Sequence, residues 1–306
     1  MTVKNVSMGA PFDWLMKGLD VGRRNPGALF GGFLWLLAVG LVPSVIQIAG
    51  DALAAPGSAA YIAAYALSLV LSLVLMPPLM GAAFRLLDRC ERGEAVAASD
   101  IFDGYRLPGF ARHMVLLSLA FVAVYVVALA ALLLVLPGKD ALLAIVARMA
   151  AAPPGGQPDM SGLAPPPGGF FLWLLGAMFL LTLLGNAYML AFAQAALRGR
   201  GILDALRDGF AAAFRNVLPF LGFAIAMTFV GFVVLLIAAV IIALVLGLLM
   251  AMSKVLAAVI AIPLYLALML GLYVVMFGFY YHGWREIFDI PAPPAGPGDD
   301  AGTIAA

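Results

Sequence analysis

PFDWLMKGLDVGRRNP, Pro11 to Pro26, stands directly before an uncharged run from Ala28 to Ala49. At about 100° per residue, Phe12, Leu15, Met16 and Leu19 share one helical face and Asp13, Lys17, Asp20 and Arg24 the other. That pattern predicts a short helix lying on a membrane surface and feeding a transmembrane helix. A second copy, GILDALRDGFAAAFRN, runs from Gly201 to Asn216, with Ile202, Leu206, Phe210 and Ala213 on one side and Asp204, Asp208 and Arg215 opposite. The register agrees as well. Gly18 precedes Arg24 and Asn25 as Gly209 precedes Arg215 and Asn216, and an apolar run begins directly after each. A weaker third copy, SDIFDGYRLPGFARH from Ser99 to His113, matches Asp103, Gly104 and Tyr105 to Asp208, Gly209 and Phe210, with a small insertion before Arg112.

Composition sets the medium. The chain is 65% hydrophobic and 11% charged with mean hydropathy +1.09, whereas soluble domains carry about 25% charged residues. A net charge of +1 provides no overall field for nucleic acid. The single cysteine, Cys90, forms no intramolecular disulfide and reads as a reduced cytoplasmic thiol. Met1 to Arg24 has no uninterrupted apolar core, so it is not read as a cleavable signal, and the first span is expected to be retained.

Six runs are long enough to cross a bilayer, which takes roughly 20 apolar residues: residues 28–49, 61–87, 114–136, 170–197, 217–250 and 255–281. The second is expected to kink at Pro77 and Pro78, and the overlong fifth to tilt or project. Residues 137–169 read as a Pro/Gly-rich periplasmic loop holding one short helix at 141–152, and residues 291–306 as a disordered cytoplasmic tail. Of the 17 Lys and Arg residues, all but Lys139, Arg148 and Lys254 fall on the side shared by both termini. The positive-inside rule places that side in the cytoplasm of a bacterial inner-membrane protein.

The predicted fold class is therefore all-α: a polytopic bundle of about six transmembrane helices with interfacial amphipathic helices. One membrane domain, 1–290, divides into units 11–90, 99–198 and 201–289. Each unit has two spans, so all three enter from one side as parallel repeats and not as inverted ones. Mitochondrial carriers share that plan but close each odd span with Pro-x-Asp/Glu-x-x-Lys/Arg. The nearest match here, Pro11-Phe12-Asp13, precedes the first span and has Met16 at the basic position, so that reading is rejected. GLDVGRRNPGALF, the Pro-containing second span and the RGEAVAASDIFDGYR loop resemble a family of bacterial inner-membrane proteins of about six helices with no assigned activity. The resemblance covers Phe12 to about Asp289; the long Pro/Gly loop departs from it. It implies location and architecture only.

Chemistry is sparse. Apart from Arg85, at the charged end of the second run, no Asp, Glu, Lys or Arg lies inside a span, although proton relays and ion pathways are built from such residues. Gln47, Asn186 and Gln194, with Thr182 and Thr228, are the intramembrane polar groups, and interhelix hydrogen bonding explains them more simply than a solute site. Gly27 and Gly31 form a GxxxG pair, and Gly40, Gly176, Gly185, Gly271 and Gly278 add small packing positions. His113, His282 and Cys90 are too few for a metal centre, and Tyr280 to Trp284 reads as an interfacial aromatic belt. Ser99 is expected to cap the third surface helix; with Asp100 and Asp103 it forms no catalytic arrangement, and no cofactor or enzymatic activity is expected. Arg23, Arg24, Arg112, Arg198, Arg200, Arg207 and Arg215 form a basic collar suited to anionic lipid headgroups or a partner, each contributing about 1 kcal/mol near such a surface. Topology alone also explains these arginines. The other reading is a transporter or channel for a neutral or apolar solute, passing Gln47, Asn186 or Gln194.

Overall fold

The computed structural model describes residues 3–23, 25–137, 145, 147–148, 168–230 and 253–291. Every regular element among them is helical. Short α1 (Ala10–Asp20) leads into α2 (Pro26–Leu53) and α3 (Ala59–Glu91). A 3-10 turn (Ala98–Phe102) and the single-turn α4 (Asp103–Arg106) precede α5 (Phe110–Leu134). Then come α6 (Phe170–Arg198), α7 (Ile202–Arg215), α8 (Val217–Val230) and α9 (Lys254–Ile287). Among the described residues, five helices are long and apolar enough to cross a membrane, while α7 and α8 meet at 68° across Asn216. The architecture is helical and compatible with a multi-pass membrane protein. The long apolar run is described only as far as Val230, and most of the 137–169 loop, with its expected 141–152 helix, and the tail from 292 lie outside the described residues.

Two local expectations are corrected. The third surface segment is no continuous helix: its Pro108 and Gly109 break it from α5, leaving the 3-10 turn and four residues of α4. Nor does Ser99 cap it. Asp100 does so, its carboxylate accepting the Ala97 N–H at 3.2 Å. The two prolines of the second span are accommodated within α3, which stays helical throughout. They leave the carbonyls of Leu73 and Val74 without their usual donors, and next to these the Tyr105 hydroxyl donates to the Leu75 carbonyl.

By contacts the chain forms two compact parts, residues 1–119 with 186–306, and residues 120–185. In the first, α2 and α3 pack antiparallel along their length because small residues meet side chains in turn: Gly50 lies against Ala64, Gly40 against Met76 and Gly32 against Leu86. Ser68 Oγ donates to the Pro43 carbonyl at 2.9 Å, a carbonyl already beside a helix-interior proline. Interior contacts join α3, α6 and α9. Phe277 packs on Phe84 with ring centroids 4.9 Å apart, the Tyr280 hydroxyl donates to Asn186 Oδ1 at 3.2 Å, and the Tyr188 hydroxyl reaches Met80 Sδ at 3.8 Å. In the second part the far halves of α5 and α6 are tied by Trp173 Nε1 donating to the Leu132 carbonyl at 3.0 Å.

Candidate functional site: a collar at the basic end

The collar is assembled by glycine. An added Cβ at Gly18 would sit 2.9 Å from the Val275 carbonyl oxygen and 3.0 Å from the Phe279 nitrogen, on α9. At Gly104 it would run into the Pro78 carbonyl and lie 3.2 Å from Ala82, on α3; at Gly209 it would run into the Ala187 carbonyl and lie 2.8 Å from Ala191, on α6. Each glycine therefore seats its segment on a carbonyl and the residue one turn further along the host helix. Dispersion accumulates when backbones approach this closely, which is why small residues line such contacts in a bilayer.

Seating at these glycines leaves most of the large apolar residues of α1 and α7 outside, Trp14 excepted. In α1, Trp14 and Gly18 are buried, whereas Phe12, Met16 and Leu19 are exposed, Met16 to 64%. In α7, Ala205, Gly209 and Ala212 are buried, whereas Leu203 is 81% and Phe214 60% exposed. Ala213, expected with the outward apolar set, is buried instead, and Asp208, expected opposite, is buried at 7%. Asp208 is tolerable there because Arg200 Nε donates to it at 3.0 Å. That bond and the Asp208 charge raise the Arg200 pKa further.

Three side chains latch the collar. Asn25 accepts the Ala28 N–H, starting α2, and donates to the Val96 carbonyl at 3.2 Å. His113 Nε2 lies 2.9 Å from the Arg200 carbonyl, so the tautomer that fits carries its proton there. Asn216, 1% exposed, accepts the Val6 N–H at 2.8 Å and donates to the Lys4 and Ala212 carbonyls, both at 3.0 Å. Each latch holds the strand of chain leading into another collar segment. Trp14 adds an anchor, its ring against Gly283 and its Nε1 donating to Glu286 Oε2 at 2.7 Å. Around α4, Arg89 plays that part with Asp100 and Glu94 at 3.0 and 3.1 Å. Burial pushes the Tyr105 phenol up to about 12, so it remains a donor at neutral pH.

The predicted arginines gather at this end but differ in state. Arg23 is exposed and paired with Asp20, Arg200 is paired with Asp208 and Asp204, and Arg215 donates to Asn5 Oδ1 at 2.7 Å. Arg112, Arg198 and Arg207 are exposed and, among the described residues, make no ion pair. Arg24 lies outside the described residues.

The intramembrane polar groups do not converge. Asn186 is buried against Tyr280, Gln194 is fully buried in α6, and Gln47 is half-buried on α2. A cavity of about 250 Å³ between α2, α3 and α9 is lined instead by residues such as Leu37, Ser44, Met76, Tyr265 and Tyr273. Of the expected glycine pair, Gly27 meets nothing within 4 Å and Gly31 meets Ala98; Gly278 packs against Gly18. His282 lies beside Tyr281, and Cys90 is buried. The latch residues escaped selection as site candidates, although the shared spacing from Gly to Asn was their signal.

No protein family matches this chain, and neither a curated protein nor a solved structure matches it.

Proposed function

We propose that this chain is a six-span bacterial inner-membrane protein, non-enzymatic, with both termini cytoplasmic, built from three parallel repeats whose collar rests on anionic lipid. The observation that carries the lipid reading is the outward face of α1 and α7, where large apolar residues are exposed beside lysine and arginine while mostly small residues, with Trp14, face inward. A helix with that division lies in an interface, its apolar side sunk about 5–10 Å. The resemblance to six-helix inner-membrane proteins is compatible with it.

The repetition is supported by cyclic correspondence. Gly18 seats on α9, Gly104 on α3 and Gly209 on α6, each the second span of the repeat before it, with the last returning to the first. The latches run likewise from Asn25 to Val96, from His113 to Arg200 and from Asn216 to Lys4. His113 thus occupies the place that Asn holds twice. His113→Asn is expected to preserve thermal stability within about 0.5 kcal/mol, whereas His113→Ala loses about 1 kcal/mol, the usual worth of a hydrogen bond. Equal losses for both variants would count against equivalence of the three positions.

A depth measurement tests the interfacial reading. With Cys90 replaced by Ala, a fluorophore on Leu203→Cys or Phe214→Cys should be quenched by bromines placed shallowly on lipid chains and shielded from aqueous iodide. Iodide quenching without bromolipid quenching removes the lipid-facing assignment of α7.

A further inference from the structure

Charge is unevenly spread round the collar. Among the described residues near α1 and the end of α9, four cations (Lys4, Lys17, Arg23, Arg285) are set against four carboxylates (Asp13, Asp20, Glu286, Asp289). From the end of α3 through α4, four arginines are set against five carboxylates, and three of them are consumed in pairs: Arg89 with Glu94 and Asp100, Arg92 with Asp88, Arg106 with Asp103, while Arg85 lies over the Phe110 ring. The start of α5, the end of α6 and α7 carry five arginines (112, 198, 200, 207, 215) against Asp204 and Asp208 alone, a net +3. Both aspartates are turned to Arg200.

The His113 bond to the Arg200 carbonyl brings the start of α5 against the turn between α6 and α7. Arg112 neighbours His113, and Arg198 lies two residues before Arg200. Arg207 stands on the outward face of α7, between Leu203 and Phe214 by helical phase. Three exposed guanidinium groups without carboxylate partners among the described residues therefore border the exposed large apolar face of the collar.

We propose that this sector, and not the collar at large, is a binding site for the phosphate of an anionic phospholipid, with Arg112, Arg198 and Arg207 as donors and its acyl chain along Leu203, Phe210 and Phe214. Guanidinium forks match phosphate oxygens, and the apolar face favours a lipid over a free anion. The inference rests on the anionic-surface reading above and narrows it to one place.

The full chain in phosphatidylcholine nanodiscs, titrated with phosphatidylglycerol and read by native mass spectrometry, provides the test. At about fivefold per arginine, the triple variant R112Q/R198Q/R207Q is expected to bind phosphatidylglycerol on the order of 100-fold more weakly. K17Q/R23Q/R106Q removes the same charge from the other sectors and should change binding by no more than about twofold. R112K/R198K/R207K, which keeps the charge, should retain most of it. Equal losses in the two glutamine variants overturn the sector while the collar reading stands; no loss in either overturns both. Displacement of the lipid by inorganic phosphate in tenfold excess would make this a soluble-anion site and overturn the lipid assignment.

Discussion

Alanine at Gly209 is expected to lower the thermal midpoint of the purified protein by several degrees, whereas alanine at Gly176 or Gly271 leaves it unchanged or raises it. Adding one methyl group usually helps a helix, because glycine costs about 1 kcal/mol against alanine. At Gly176 and Gly271 the new Cβ meets nothing within 4 Å, so only that gain is felt. At Gly209 it meets the Ala187 carbonyl and the backbone nitrogen of Ala191, at 3.0 Å for the latter. A side chain in the way could rotate aside; a helix backbone cannot, so α7 must lift from α6. Overpacking of this sort costs about 1–3 kcal/mol. Lifting also strains the Arg200 to Asp208 pair and exposes the buried Ala205 and Ala212. Detergent-solubilised G209A, G176A and G271A compared by differential scanning fluorimetry decide the matter. Indistinguishable midpoints would mean that the close approach is not a constraint.

Asn216→Ala is expected to free the segment before α1 without unfolding the bundle. The side chain satisfies one amide and two carbonyls, two of them more than 200 residues away in sequence. Losing it leaves the Val6 N–H and the Lys4 carbonyl to find water, at about 1–3 kcal/mol for each group that stays buried. The segment keeps the Lys4 N–H bond to the Ile287 carbonyl at 2.8 Å and the exposed Lys4 to Asp289 pair, worth little by itself. Amide exchange at Val6 should therefore accelerate by about tenfold or more, while amides in the middle of α3 keep their protection. Unchanged exchange at Val6 would remove the latch role.

The register from Gly18 to Asn25, repeated from Gly209 to Asn216, was readable in the chain because both ends of the segment are chemically demanding. Glycine is needed where backbones touch, and a side-chain amide is needed where the next span begins. What it seats against was not readable. Gly18 meets α9, some 260 residues onward, and local sequence holds no trace of which helix a small residue will face. Of the group Phe12, Leu15, Met16 and Leu19 that helical phase gave, all but the half-buried Leu15 are exposed, but the small residues on the inward side were hidden, since alanine and glycine carry little hydrophobic signal. The third segment was misjudged because Asp103, Gly104 and Tyr105 fit the repeat while Pro108 and Gly109, just beyond, break the helix.

By itself, the sequence determined the helical class, the long apolar helices that suit a membrane and the concentration of basic residues at one end. Those follow from the cost of burying backbone polar groups and charges in hydrocarbon, which acts on each segment alone. Only the tertiary structure decided which arginines are left without a carboxylate and which are consumed. Arg200 and Arg207 are alike in sequence, both on the same short stretch with acids nearby; packing turns Asp208 inward beneath Arg200 and leaves Arg207 on the outer face. Ion pairing depends on distances of a few ångströms between side chains, and those distances exist only once the glycines have brought the helices together.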